Sequence, residues 1–189
     1  TVGNLEATAT GGDIYIVGIG DMTVGGIGAM NGVSSAGGNV WIDLTGGTST
    51  LTVTESIVAT TSGKSITLRA REGIELTTAD ADVTSNGGAI SISSDIDANG
   101  AGEFTSADAG SAVTAGSGNV TVVAADLALA GTIAGTGTLT LQPSSAARTV
   151  GIGGGTGDFN IDDAEIGLLA NGFSEITIGD VTNTGLVTI

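Results

Sequence analysis

One stretch decides the fold, Gly37-Gly38-Asn39-Val40-Trp41-Ile42. Its pattern is a glycine turn followed by an apolar residue, a residue of any type and a second apolar residue. It occurs seven times, and its first apolar residues are Ile14, Val40, Ile66, Ile90, Val120, Leu139 and Ile176. The copies lie 26, 26, 24, 30, 19 and 37 residues apart. Apolar residues at every second position indicate short β-strands. A repeat of this length indicates strands stacked coil upon coil.

The repeat predicts an all-β, single-stranded parallel β-helix, because such short strands bury their apolar faces only against neighbouring coils. We expect about seven coils at the spacing of parallel strands, a right-handed turn and a single domain over residues 1–189. The first and third pattern residues then form an inner aliphatic ladder, and the middle residues point outward. The outward set is Tyr15, Trp41, Thr67, Ser91, Thr121, Thr140 and Thr177. A β-sandwich is the alternative, but its strands lack a fixed repeat and it usually has aromatic core anchors.

The composition agrees with a thin, regular core. Hydrophobic residues make up 40% of the chain but aromatic residues only 3%, and there are 34 glycines. The net charge of −16 repels phosphates and anionic membrane surfaces, so nucleic acid is excluded as a partner. The sequence has no His and no Cys, which excludes thiol and Ser–His nucleophiles. No run of 18 apolar residues occurs, so membrane insertion is not expected.

The two ends of the chain have similar features. The first ten residues and Gly185–Ile189 look extended and carry no polar cap, which predicts a segment of a longer rod or a subunit that stacks head to tail.

Near residues 162–170 we expect one short helix, with Asp162 as N-cap, Glu165 closing a capping box and Gly172 near the C-cap. This helix should cover an apolar edge at a corner of the coil.

The stretches DLALAGTIAGTGTLTL at 126–141 and RTVGIGGGTGDFNIDDAEIGLLANGFSEITIGD at 148–180 resemble repeats of large secreted bacterial β-helix proteins of the filamentous-haemagglutinin type. The resemblance covers most of the chain from about residue 11 onward. It implies an exported rod at the bacterial cell surface or outside the cell, serving as adhesin, stalk or fibre subunit without catalysis.

One loop has the composition of a calcium site. Asp95, Asp97 and Asn99 alternate before Gly100, and Glu103 follows. Oxygen ligands at alternate positions before a glycine are typical of loops that wrap Ca²⁺. The twelfth position of such a loop is Ser106 rather than a carboxylate, so a plain Asx-rich turn is the competing interpretation.

The outward aromatic residues suggest a second binding function. Tyr15 and Trp41 occupy the same position in adjacent coils, so their rings should lie one above the other as a small platform for surface glycans. A stabilising cross-strand pair is the competing interpretation.

A polysaccharide lyase or hydrolase is the third functional hypothesis. Asp162–Asp163 is an adjacent acidic pair, but the helix cap accounts for it. Arg69 and Arg71 lie near Glu72 and Glu75, where a solvated charged turn is the simpler interpretation.

Overall fold

The computed structural model describes residues 3–189 and shows a parallel β-helix. Over these residues the chain forms 22 short strands and one helix of four residues. Nineteen strands belong to three long sheets, which we call A, B and C, and three belong to a terminal sheet D. All paired strands run parallel, and in the three long sheets each strand pairs with its counterpart in the next coil rather than with its neighbour in sequence.

The strand bounds follow the coil order A, B, C. Sheet A contains β1 (Asn4–Leu5), β4 (Met22–Val24), β7 (Leu51–Val53), β10 (Ile74–Leu76), β13 (Glu103–Ser106) and β16 (Asp126–Leu129). Sheet B contains β2 (Ala7–Ala9), β5 (Val33–Ser35), β8 (Ile57–Ala59), β11 (Val83–Ser85), β14 (Ala112–Thr114) and β17 (Thr132–Ala134). Sheet C contains β3 (Ile14–Gly18), β6 (Val40–Leu44), β9 (Ile66–Ala70), β12 (Ile90–Ser93), β15 (Val120–Ala124), β18 (Thr138–Pro143) and β21 (Glu175–Ile178). Sheet D contains β19 (Val150–Ile152), β20 (Phe159–Ile161) and β22 (Val187–Thr188).

The predicted repeat is confirmed residue by residue in sheet C. The seven marker residues pair in one continuous column from Ile14 to Ile176, and the seven outward residues form the parallel column from Tyr15 to Thr177. Six coils have all three strands, and a less regular seventh follows. The number of coils agrees with the prediction, and the right-handed turn stays a prediction.

The core consists of aliphatic ladders that run along the rod. In sheet C, Val40, Ile42, Ile66 and Leu68 are fully or almost fully buried, as the inward assignment predicted. Sheet A contributes a column that begins at Met22 and includes the buried Phe104. These columns keep mostly aliphatic side chains in register, so the core needs few aromatic residues.

The corners between sheets B and C bring successive coils very close. A Cβ on Gly37 would lie 2.6 Å from Gly11 Cα and 2.7 Å from Gly12 N in the preceding coil. Ordinary carbon–carbon contacts are about 3.5–4.0 Å. Only glycine fits this corner, which explains why the repeat begins with glycine.

Polar side chains just before the strands of sheet C tie several neighbouring coils together. Asp13 Oδ1 accepts hydrogen bonds from Asn39 N (2.7 Å) and Asn39 Nδ2 (3.1 Å), and Asn39 Oδ1 accepts from Ser65 N (2.9 Å) and Ser65 Oγ (3.0 Å). The same contact recurs where Asn119 Oδ1 accepts from Thr138 N. These side chains satisfy backbone donors at the corners and so extend the hydrogen bonding of the sheets.

The last coil departs from the regular path. The long gap between the last two copies of the repeat contains β19 and β20; β20 lies against β16, and β19 and β22 stack beyond it. Leu169 bridges to Ile133 and takes the place of a strand at the end of sheet B. Sheets B and C therefore end in the seventh coil, while strands on the sheet A side continue for two more layers.

The single helix, α1 (Asp163–Ile166), is shorter than the predicted 162–170. The capping box is confirmed, because Asp162 Oδ1 accepts from Glu165 N and Glu165 Oε2 accepts from Asp162 N. The predicted C-cap was wrong, because the cap is Gly167 and Gly172 lies in a later turn. Glu165 Oε1 also accepts from Leu129 N at 2.8 Å, so the helix covers the end of β16. Nowhere in residues 3–189 is there a helix long and apolar enough to cross a membrane.

Candidate functional site

Tyr15 and Trp41 form a stacked pair on the outer face of sheet C. Their ring centroids are 6.0 Å apart with an interplanar angle of 28°, and the two residues are register partners of β3 and β6. Tyr15 is 66% exposed, and Trp41 is half-buried. The predicted vertical arrangement is confirmed. Because the rings face each other, the pair offers one open face of Tyr15 rather than two rings side by side.

A hollow of about 310 Å³ lies beside the two rings. Its walls are Tyr15, Trp41, Thr67 and the corner residues, which are Asp13, Ile14, Asn39 and Ser65. The corner residues already form the polar ladder between coils, so their positions are held by hydrogen bonds from the backbone. Among residues 3–189, neither Asp13 Oδ2 nor the Thr67 hydroxyl makes a hydrogen bond. The hollow thus combines an aromatic wall with a carboxylate oxygen and a hydroxyl that are free to bind.

A charged pair flanks the aromatic residues on the other side. Arg69 Nη1 contacts Asp43 Oδ2 at 3.2 Å, and the two residues are register partners in β9 and β6. Asp43 is 7% exposed, and its Oδ1 is buried without a hydrogen-bond partner in the described structure. Arg69 is therefore engaged by a carboxylate.

The residues around the rings went unnoticed at the level of sequence, although the repeat contains the signal. Asp13, Asn39 and Ser65 each immediately precede a marker residue, and Asp43 and Arg69 each lie three positions after one. Residues at equal distances from their markers become neighbours in adjacent coils. The repeat numbering thus predicts both the corner ladder and the ion pair.

The predicted calcium ligands do not converge. No group of three or more acidic side chains within residues 3–189 is placed to hold a metal ion. Asp97 Oδ2 contacts Arg71 Nη2 at 2.9 Å, Asn99 Oδ1 accepts from Ala101 N at 2.8 Å, and Glu103 lies exposed at the start of β13.

Asp95 turns into the molecule rather than toward an ion. It is 1% exposed, and its carboxylate accepts from Gly100 N at 3.1–3.2 Å and from the Ser144 hydroxyl. Asp95 and Ala98 both have positive φ, 57° and 54°, so a tight left-handed backbone path shapes this loop. The loop is an Asx-rich turn closed by its own backbone and by Arg71, which is the competing interpretation of its sequence.

The charged groups near this loop also have structural roles. Burial raises the pKa of Asp97, but the hydrogen bond and the charge of Arg71 outweigh that effect and hold the pKa below its ordinary value. Asp162 is the helix N-cap. Arg71, which we considered for a lyase, and Asp162, which we considered for a hydrolase, are thus bound to neighbouring groups of the fold.

No protein-family model matches this sequence, and comparisons with curated proteins and with solved structures give no significant match. The resemblance to filamentous-haemagglutinin repeats therefore stays an expectation.

Proposed function

We propose that this chain is an extracellular structural β-helix rod, serving as an adhesin stalk or fibre-forming subunit without catalysis, and that it extends by strand pairing at its ends. The observation that carries the proposal is the open edge of the outermost strands. In sheet C, β3 at one end and β21 at the other each pair with one strand only. An open parallel edge presents unpaired N–H and C=O groups that favour pairing with another strand.

Apolar side chains at both ends support this proposal. Val17 and Ile19 are exposed in and after β3, and Ile176, Leu186 and Val187 are exposed in and near the last strands. Ile176 belongs to the inner column of sheet C, but it is 45% exposed because β21 is the edge strand of this sheet and has no strand paired on its outer side. A further strand on β21 would bury it as its counterparts are buried.

The repeat also defines the register of an added copy. Pairing β21 of one copy with β3 of the next would place Ile176 beside Ile14 and Thr177 beside Tyr15, which continues both columns. The partner is a second copy of this chain, and adjoining coils of a longer β-helix would use the same edge. We place the rod at the bacterial surface or outside the cell, as the resemblance to exported β-helices implies.

Cysteine cross-linking tests this register. The natural chain has no Cys, so the double variant Thr177→Cys/Tyr15→Cys carries two defined thiols at opposite ends of the rod. Neighbouring parallel strands lie about 4.8 Å apart, within the Cα range of disulfides, so oxidation should link copies into ladders of multimers. In Thr177→Cys/Val17→Cys the second thiol is two residues out of register, about 8 Å away, and should link poorly.

Electron microscopy and sedimentation give an independent test. The charge of −16 on each copy opposes stacking, so filaments should lengthen as salt screens the repulsion. Short monomers that stay dispersed at high concentration and high salt, or equal cross-linking by both cysteine pairs, would refute end-to-end assembly.

A further inference from the structure

We propose that the hollow beside Tyr15 and Trp41 binds a neutral hexopyranose glycan, with one sugar ring on the open face of Tyr15. The open face of Tyr15 lies on the edge strand β3, where a stacked copy would place Thr177 beside Tyr15, so sugar binding and end-to-end stacking compete for this face. The site gives the free end of the rod a recognition function. The proposal rests on the stacked pair, the polar groups beside it and the charge around it.

The aromatic pair differs from the rest of its column. The other five outward residues of sheet C are Thr or Ser, side chains that suit a solvated strand. Tyr15 keeps most of its surface in solvent, and Trp41 packs against one face of its ring. A rigid exposed aromatic face is a surface on which the C–H groups of a sugar ring pack well.

The polar groups of the hollow match the hydroxyls of a sugar. Asp13 Oδ1 holds Asn39, which fixes the carboxylate and leaves Oδ2 to accept hydrogen bonds from a ligand. The Thr67 hydroxyl lies in the wall of the same hollow and can donate or accept. Hydrogen bonds to a charged acceptor are stronger than neutral ones, so Asp13 should dominate the polar contacts.

The charge of the site selects among glycans. Among the residues that line the hollow only Asp13 is charged, and Arg69, two residues after Thr67, is bound to Asp43. A uronate, a sialic acid or a sulfated sugar would bring a second negative charge into a molecule of charge −16. The volume of about 310 Å³ lies at the lower end of the range for ligand sites, which suits one or two sugar units.

Trp41 is the only tryptophan of the chain, so its fluorescence reports directly on the site. We would titrate dilute, monomeric protein with neutral hexose trisaccharides of different linkage and with a uronate trisaccharide as the charged probe. We expect a saturable change in emission with at least one neutral trisaccharide and none with the uronate. No response to any neutral trisaccharide at tens of millimolar, or a stronger response to the uronate, would overturn the proposal.

Matched variants separate binding from folding. Tyr15→Ala should weaken binding about tenfold, the loss expected for one aromatic face at about 1.4 kcal/mol. Tyr15→Phe keeps the face and should bind like the natural chain. Asp13→Asn should weaken neutral binding several-fold and reduce the discrimination against the uronate. Thr121→Ala, in the same column but three coils away from Trp41, should leave binding unchanged.

A purely structural role for the pair gives a different pattern. In that case Tyr15→Ala would lower the melting temperature while every saccharide response, including that of the natural chain, stayed absent. Failure of the cysteine cross-links with retained saccharide binding would refute stacking and leave this site intact.

Discussion

Replacement of Gly37 by alanine tests the claim that close corners hold the coils together. The new Cβ would meet Gly11 Cα at 2.6 Å, whereas an ordinary contact needs about 3.5 Å. The first and second coils would therefore separate by about 0.9 Å at this corner. The atoms that the new Cβ meets, Gly11 Cα and Gly12 N, belong to the backbone, so no side chain can rotate away to relieve the clash.

The cost follows from the hydrogen bonds that cross the same corner. Ala36 N donates to Ala9 O at 2.8 Å, Asn39 N to Asp13 Oδ1 at 2.7 Å, and Ser35 Oγ to Gly12 O at 3.0 Å. A displacement of about 0.9 Å takes all three to or beyond the limit of a hydrogen bond. At about 1 kcal/mol each, the loss is about 3 kcal/mol, at the upper end of the usual cost of overpacking.

Gly11→Ala is the matched control. A Cβ on Gly11 meets no atom within 4 Å, and its φ is not in the left-handed region. Alanine at such a position restricts the unfolded chain, so we expect a stabilisation of about 0.4–1 kcal/mol. Alanine should thus lower the free energy of unfolding at Gly37 and raise it at Gly11, although the two glycines lie at the same corner.

The measurement combines thermal unfolding with hydrogen exchange. For a domain of this size, a loss of about 3 kcal/mol corresponds to a fall in melting temperature of about 6–12 °C. Because coils of a solenoid contact only their neighbours, the first coil should loosen first, and exchange of the Ile14 amide, which donates to Asn39 O, should accelerate. A Gly37→Ala variant within 0.5 kcal/mol of the natural chain, taking about 0.5 kcal/mol as additivity error, would refute the reasoning.

Three further predictions concern single polar side chains. Ser94 is fully buried and its hydroxyl has no hydrogen-bond partner in the described structure, so Ser94→Ala should raise the free energy of unfolding by about 1 kcal/mol in a urea titration. Asn39→Ala removes the acceptor for Ser65 N and Oγ and should lower it by about 1–2 kcal/mol. Arg71 holds the pKa of Asp97 below 3.8, its value in the unfolded chain. The pair therefore stabilises the fold fully at a pH above 3.8, and this stabilisation is lost as the pH falls through the pKa of the folded state. The difference in melting temperature between the natural chain and Asp97→Asn should shrink over the same pH range.

Each of these variants has a control within the chain. Ser93→Ala changes a partly exposed neighbour of Ser94 and should have little effect on stability. Asn171→Ala removes an exposed amide from a turn and should cost less than Asn39→Ala. A destabilised Ser94→Ala, equal losses at both asparagines, or a pH-independent difference for Asp97→Asn would contradict the respective arguments.

The repeat was sufficient to predict the ladders because strand pairing in a β-helix depends on a local pattern. An apolar residue at Val40 and at Ile66 faces the core in either coil, and a one-residue slip would expose both. The pattern therefore determines register without any knowledge of distant contacts. The same logic predicted the stack of Tyr15 on Trp41.

The calcium site stays a prediction, and the partners of its carboxylates show that ligand spacing says nothing about competing donors. Arg71 lies in the preceding coil, 26 residues from Asp97, and Ser144 lies 49 residues from Asp95. These partners reach the loop only through the stacking of coils. Once they occupy the carboxylates, the oxygen-rich loop closes on protein groups.

The repeat also does not predict the path of the last coil. The gap between Leu139 and Ile176 contains two strands, β19 and β20. Their order in the stack is reversed relative to the chain, with β20 next to β16 and β19 outside it. The spacing of apolar residues predicts which face of a strand is buried, but it does not predict in which layer of the stack the strand lies. The position of β20 depends on contacts such as Asn160 N with Asp126 Oδ1 at 2.7 Å.

This reversed order has a consequence for how the rod extends. Because β19 occupies the layer that should follow β20, β22 stacks one layer further out, and the sheet A side stands two strands, about 10 Å, above the end of sheet C. In the first coil the outermost strands of the three sheets are consecutive in the chain, so that end has no such extra layers. A second copy therefore cannot continue all three sheets at once in the regular register. In the proposed assembly, a copy that pairs β3 with β21 must therefore tilt away from β19 and β22 on the sheet A side, and the cysteine pair at Thr177 reports on the sheet C contact alone.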